Sequence, residues 1–375
     1  MRAARGLVRA LLLITVAGLV GGCATIARNV EDLRQSLRDA QAERDLQAQK
    51  EEEQAEQELA RTNPALFRIR QKWKELRPRY PGPRFAVPPR AAAPYAAGEL
   101  SAGFLEDGLA MTRFVRFLAG VPDDVELSAD LCAAAQHGAV VLAALGILSH
   151  APPRPPDMPL DFYQRGLAST GSSNIHQSSG SGDSLASAVV SFMDDSDPGN
   201  IDRVGHRRWV LSPVMKRLGF GSAVSRNGDV FTTMEVFDNG NEGQRPFDFI
   251  RWPPEGTFVV EMFSATQAWS VCFNPAKYRV PRVENLRVTL TRKADGARWE
   301  ITSRNADPRG AYLHLDTAGY GYQSAIIFRP APGFSIEAGD TFGVSLTGLG
   351  TLGGAAKKLD YEVTFARLSD SPWGF

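Results

Sequence analysis

The chain has five histidines, and one of them, His206, stands in an unusual setting. It lies in Gly205-His206-Arg207-Arg208-Trp209, ahead of Leu211-Ser212-Pro213 and Gly219-Phe220-Gly221. A second, His150, closes Leu148-Ser149-His150 at the end of a long apolar run. Imidazole moves protons near neutral pH and binds metals. Carboxylates for either role come from the acidic turn "DDSDPGN", with Asp194, Asp195 and Asp197. The small polar stretch "LASTGSSNIHQSSGSGD" adds Ser173, Asn174, His176 and Gln177. Several other chemistries are excluded. No Gly-x-Ser-x-Gly elbow precedes a helix, so a Ser-His-Asp triad is not signalled. Neither a P-loop nor a dinucleotide-binding fingerprint is present. The acidic turn lacks the closing glutamate of an EF-hand and reads as a solvated turn.

Several elements must position these residues. His206 to Leu211 forms a last helical turn that Ser212-Pro213 ends, since proline lacks the N–H and restricts its predecessor. Gly219-Phe220-Gly221 then opens a strand, and Asn227-Gly228 between apolar runs predicts a hairpin. Upstream, Phe104, Leu109, Met111, Phe114, Phe117 and Leu118 mark one stripe of a helix ending at Gly120. A second helix starts at an N-cap Ser128, is apolar nearly all round and runs to His150, where "APPRPPDMP" stops it. A further helix spans Ser184 to Met193. Read locally, His150 is a cation at a helix C-terminus, and His206 a buried histidine bonded to a carbonyl. Arg207 and Arg208 either neutralise an anion or pack along Trp209. His176 and Gln177 are stand-in ligands or exposed loop residues.

At 375 residues the chain has room for two domains, and 43% apolar residues supply real cores. A formal net charge of zero excludes recruitment of nucleic acid by a basic field. Residues 1–22 have the arginine-rich start, apolar middle and small-residue end of a secretory signal. They end Val20-Gly21-Gly22 before Cys23, which resembles the bacterial lipobox. That resemblance implies cleavage before Cys23 and its lipidation, anchoring the protein to a membrane; Ala24 favours the outer membrane of a Gram-negative cell. Residues 23–62 are a charged helix with a seam at Ile26, Val30, Leu33, Leu37 and Ala40. It is either an oligomerising stalk through residues 26–40 or a solvated spacer. Residues 63–98 form a Pro-rich linker or arm, free or strapped onto the next domain by Tyr80, Phe85 and Tyr95. After about Pro246, short strands from "GTFVVEMF" to "DYEVTFARL" predict an all-β, immunoglobulin-like sandwich over 246–375. Cys132 and Cys272 read as small apolar side chains rather than a bridge.

Taken together, Leu148-Ser149-His150, Ser173-Asn174-Ile175 and "GHRRWVLSPVMKRLGFG", in this order and spacing, resemble the CAP superfamily (cysteine-rich secretory proteins, antigen 5 and pathogenesis-related 1) over about residues 100–236. Trp252-Pro253-Pro254 resembles the entry to the β-domain of similar bacterial proteins. The resemblance implies an α+β chain: a CAP-like α-β-α sandwich over 99–245, then the β-sandwich. It also implies a cleft lined by two histidines and two glutamates, which in some members holds zinc or another divalent cation. His150 and His206 match the histidines. Ser173, beside Asn174, stands where the first glutamate falls, and Asp195, or else Asp194, matches the second. The implied metal set is therefore His150, His206 and Asp195.

Losing a carboxylate at Ser173 weakens hydrolysis, because a serine cannot take a proton at neutral pH. The expectation is an exported, membrane-tethered binding protein for a lipid, glycan or protein ligand. The alternatives are a metal-dependent hydrolase of peptide or cell-wall substrates and a structural spacer.

Overall fold

The computed structural model describes residues 23–179, 184–240 and 247–368. The expected signal segment, and the boundary near 245 between the two expected domains, lie outside the described residues. The chain is mixed α+β and divides into two units, residues 1–67 and 68–375.

The first unit holds helix α1 (Cys23–Thr62), with residues 31–50 all exposed. Its seam residues Leu33 and Leu37 are 47% and 41% exposed. No described helix is long and apolar enough to cross a membrane. Helix α2 (Pro64–Leu76) spans the boundary between the units. It takes the place of the first half of the expected linker. The backbone N–H of Leu66 donates to Asn63 Oδ1 (3.0 Å), and Pro64 stands at the first helical position, where its missing N–H costs nothing.

In the second unit, Trp73 packs on Phe114 (ring centroids 4.9 Å apart). The Pro-rich arm that follows is strapped down, not free. The N–H groups of Arg79 and Tyr80 donate to Asp107, and the Tyr95 hydroxyl donates to Asp157 (2.8 Å). Strand β1 (Phe85–Val87) pairs with β2 (Glu99–Leu100).

Next come α3 (Ala102–Ala119), β3 (Glu126–Leu127), α4 (Ala129–Leu145), α5 (Leu160–Ser172), β4 (Ser173–Ser179), α6 (Leu185–Asp194), α7 (Gly205–Val210), β5 (Arg217–Val224) and β6 (Asp229–Glu235). The strands form one sheet in the order β3-β5-β6-β4, antiparallel except for β3 with β5. Helices lie against both faces, and the Gly-Phe-Gly of β5 shows why. A Cβ at Gly219 or Gly221 would stand 2.2 Å from backbone atoms of Leu131 or Ala135 in α4. The two glycines thus let α4 lie directly on the sheet. A Cβ at Gly108 of α3 would meet Leu185 of α6 and Phe220 of β5, so α3 also approaches closely.

The second helix stops earlier than expected. Gly146 takes the left-handed conformation (φ 65°) and its N–H returns to the Leu142 carbonyl. This glycine termination ends α4 five residues before His150.

The C-terminal part is two packed sheets. One has β7 (Phe249–Trp252), β9 (Trp269–Phe273), β13 (Tyr312–Asp316) and β14 (Ser324–Arg329), in the order β13-β14-β9-β7. The other has β8 (Gly256–Val259), β10 (Tyr278–Arg279), β11 (Arg287–Arg292), β12 (Arg298–Thr302), β15 (Thr341–Thr351) and β16 (Ala356–Ala366). Its order is β12-β11-β15-β16-β8, with β10 on β15. Trp269 of the first sheet meets Phe342 and Phe365 of the second (6.1 and 6.2 Å). Such aromatic packing supplies a large share of the core between the two sheets. Cys132 is half-buried and Cys272 buried, both as free thiols.

Candidate functional site

Helix α7 is one short element with three jobs, assigned residue by residue. It begins after Val204, which is held in the left-handed region (φ 40°). For a β-branched residue that conformation is costly. The turn leading to it satisfies itself. Asp197 accepts from the N–H of Gly199 (2.9 Å) and the amide of Asn200 (2.8 Å).

The first job belongs to His206. Its Nδ1 lies 2.8 Å from Asp195 Oδ1, and its backbone N–H donates to Asp195 Oδ2 at 2.8 Å. The N–H of Arg207 adds a longer contact to the same oxygen (3.4 Å). The Asp195 side chain is 1% exposed and that of His206 is 20%. A carboxylate only accepts, so Nδ1 carries a ring proton, and in the neutral imidazole the lone pair is on Nε2. Phe192 lies against the imidazole (5.4 Å) and Asn174 donates its amide to the His206 carbonyl (3.0 Å).

His150 is fixed in a parallel way. It does not cap its helix, which has already ended. Its Nδ1 meets the Thr170 carbonyl at 2.7 Å, and the Thr170 hydroxyl donates back to the His150 carbonyl at 3.1 Å. A carbonyl can only accept, so here too the proton is on Nδ1. The two imidazoles stack with centroids 6.4 Å apart and 29° between planes. Both line a cleft of about 380 Å³, together with Ser173, Asn174, Asn200 and Arg203. That volume falls within the range of small-ligand sites, roughly 300–1,000 Å³.

The other two jobs fall to the arginines. Neither is a surface residue: Arg207 and Arg208 are 0% and 1% exposed. Arg207 donates to the carbonyls of Met193 and Ala268 (both 2.7 Å) and to Ser270 Oγ (3.1 Å). Burial pulls its guanidinium down to about 10, with Asp195 and Asp194 opposing. Arg208 pairs with Asp316 and donates to the Gln323 carbonyl. Both therefore bolt the first of the C-terminal sheets to α7. A third buried arginine, Arg116, holds the exit of α7 through the Val210 and Ser212 carbonyls (2.7 and 2.9 Å).

This docking brings a residue of the C-terminal part into the cleft. Tyr320 lines it beside Trp209 and Phe237. Arg208 lies over the Tyr320 ring at 5.4 Å, and a Cβ at Gly205 would stand 3.0 Å from that ring. Gly321 (φ 58°) passes over the Arg208 carbonyl where a Cβ would be 2.2 Å away, so glycine is required there.

The structure thus brings His150, His206, Ser173 and Asn174 to one cleft, with Asp195 behind His206. It does not assemble the metal set His150, His206 and Asp195. Both Asp195 oxygens are spent on α7, and among the described residues no group of three or more His, Cys, Asp or Glu is placed to hold a metal ion. Two imidazole nitrogens fall short of the three protein ligands of an open zinc site. His176 and Gln177 lie on β4 rather than in a loop, outside the cleft lining; His176 meets Phe192 edge-on (6.1 Å).

A carboxyl that sequence reasoning missed stands next to Ser173. Glu235 is its direct partner across β4 and β6, 5% exposed, and accepts from the Ser172 hydroxyl at 2.7 Å. Burial pushes its carboxyl up, and the hydroxyls of Ser169, Ser172 and Ser173 oppose that. The available signal was an acidic residue at the end of "DVFTTME", an otherwise inward-packed strand. No protein-family model matches the chain, and no curated protein matches it significantly.

Proposed function

We propose that the protein is an exported lipoprotein, tethered to a membrane through Cys23, whose CAP-like domain binds a ligand of the cell envelope or extracellular space without turning it over. The observation that carries this reading is the pair of imidazoles. Each has its Nδ1 proton committed to the protein, so each offers a fixed Nε2 acceptor in a cleft that mixes polar and aromatic groups. Fixed, pre-oriented polar groups in a concave site are what selective binding requires. The CAP-like assignment is supported by helices on both faces of the β3–β6 sheet. The two facing C-terminal sheets support the sandwich, whose immunoglobulin-like character is part of the same proposal. Residues 23–62 would act as a spacer from an outer membrane, with Leu33 and Leu37 of the 26–40 seam exposed to a second copy.

The test is retention of envelope extract by the purified full chain, beside His206→Ala and Asn174→Ala variants. A compound retained by the wild type, lost in the variants and released unchanged supports the reading. Equal retention by all three overturns it.

One observation favours a second reading. A buried aspartate on Nδ1 leaves Nε2 as a general base, the orienting logic of a hydrolase dyad. A retained compound released as cleaved product, with turnover lost in His206→Ala, would make the protein a hydrolase.

A further inference from the structure

Three aromatic side chains from three separate segments meet at the cleft mouth. Trp209 comes from α7, Phe237 from the segment after β6, and Tyr320 from the loop between β13 and β14. Trp209 lies 4.2 Å from Phe237 and 6.4 Å from Tyr320 between ring centroids. Phe237 is 51% exposed, an apolar side chain left open on the rim. Tyr320 is the opposite case: it is held between Arg208 and Gly205, so its ring is fixed before any ligand arrives. His150, His206, Asn174 and Arg203 line the same cleft.

We propose that the cleft binds a neutral glycan, with one sugar ring laid on the Trp209–Phe237 shelf against Tyr320. This deepens the binding reading above and rests on it. A pyranose presents a row of C–H groups on its face, which suits the electron-rich face of an aromatic ring. Its rim is hydroxyls, which both donate and accept. They match the Nε2 acceptors of His150 and His206 and the donors of Arg203. An acyl chain would cover the shelf equally well, but it would strip water from the imidazoles and Arg203 and give nothing back. The site is also shared between the two parts of the second unit. Selection of the sugar then depends on Tyr320, and the buried Arg207 and Arg208 contacts are what deliver it.

The test is titration of the full chain with chitotetraose, cellotetraose and mannotetraose, followed by amide shifts and by calorimetry. Vesicles of phosphatidylethanolamine and phosphatidylglycerol form a parallel arm. The expected result is saturable binding of at least one tetraose, weakened about tenfold or more in Phe237→Ala and in Trp209→Ala, and retained in Tyr320→Phe, which keeps the ring. Phe237 is on the rim, so its variant keeps the fold, checked by near-ultraviolet circular dichroism. No shift with any tetraose overturns the glycan inference, as does sugar binding indifferent to Phe237 and Trp209. If the sugars fail but vesicles or an extract peptide bind in a His206-dependent manner, the glycan inference falls and the binding reading stands. If nothing binds in that manner, both fall.

Discussion

Replacing Asp195 with asparagine is expected to move the ring proton of His206 from Nδ1 to Nε2. In the wild-type protein Oδ1 faces Nδ1 at 2.8 Å while Oδ2 accepts from the backbone N–H of His206 at 2.8 Å. Asparagine has the same shape but one acceptor end and one donor end. The backbone N–H groups cannot change role, so the amide oxygen stays with them and the NH₂ turns to Nδ1. Nδ1 must then accept, and the proton goes to Nε2. A hydrogen bond to a charged group contributes about 1.5–3 kcal/mol net. At about 1.4 kcal/mol per factor of ten, that is a preference of roughly 10- to 150-fold for the Nδ1–H form in the wild type. Long-range proton–nitrogen correlation spectra at about pH 8.5 separate the two tautomers, and with five histidines the imidazole signals can be assigned one by one. A wild-type His206 carrying its proton on Nε2, or one tautomer common to both proteins, would refute the reasoning. Since Nε2 is the atom offered to a ligand, the variant exchanges an acceptor for a donor in the cleft. Any ligand that donates to His206 should bind at least tenfold more weakly.

The buried Arg208–Asp316 pair should make Arg208→Met costly, by about 3–5 kcal/mol, because a carboxylate and a carbonyl lose their partner. Denaturant unfolding measures the loss, and faster amide exchange over 317–323 locates it; a change below about 1 kcal/mol would show that the clamp is dispensable. Glu235 has its carboxyl raised above its ordinary 4.5, so between that value and its folded one the native state holds more protons than the unfolded. Unfolding free energy should therefore fall as pH rises through that window, and Glu235→Gln should lack the fall; parallel curves for the two proteins from pH 4 to 7 would contradict this. Leu33→Asp with Leu37→Asp should reduce the sedimentation mass of the full chain to that of one copy, whereas a wild-type chain already monomeric would assign α1 to spacing alone. Cys23→Ala should shift the protein expressed in a bacterial host from the detergent to the aqueous phase on Triton X-114 partition, and an unchanged partition would exclude lipidation there.

Much of the local structure was legible in the residues themselves. Periodicity and turn chemistry act over a few neighbours, so the helix ending at Gly120, the helices starting at Ser128 and Ser184, and the hairpin at Asn227-Gly228 could be read directly; of the two serines only Ser184 caps with its side chain, and Ser128 does not. The Gly-Phe-Gly of β5 announced a strand, and the strand-rich C-terminal part followed from the change of residue pattern after about Pro246, while the α+β tandem was what the family resemblance implied. The miss at the end of α4 was also local: Gly146 outweighed the apolar run that continues past it. The strands β7, β10 and β13 were passed over; β10 has only two residues, too few to carry a period.

The site divides differently. Sequence named His150, His206, Ser173 and Asn174, because their residue types and order resembled a known pattern. It could not say what each polar group would be paired with, since hydrogen-bond partners are set by chain segments far apart in sequence. Only the tertiary structure spent Asp195 on His206 rather than on a metal and put Glu235 behind Ser173. It also buried Arg207 and Arg208, which in sequence look like ordinary surface cations. Besides nearby carbonyls such as those of Met193 and Arg203, their burial rests on acceptors 61 to 115 residues away, at Ala268, Ser270, Asp316 and Gln323. The same long-range contacts carry Tyr320 to the cleft. The sequence by itself determined which elements form and which imidazoles are available; the tertiary structure decided their protonated nitrogen and the walls around them, because charge pairing and desolvation depend on neighbours that only folding brings together.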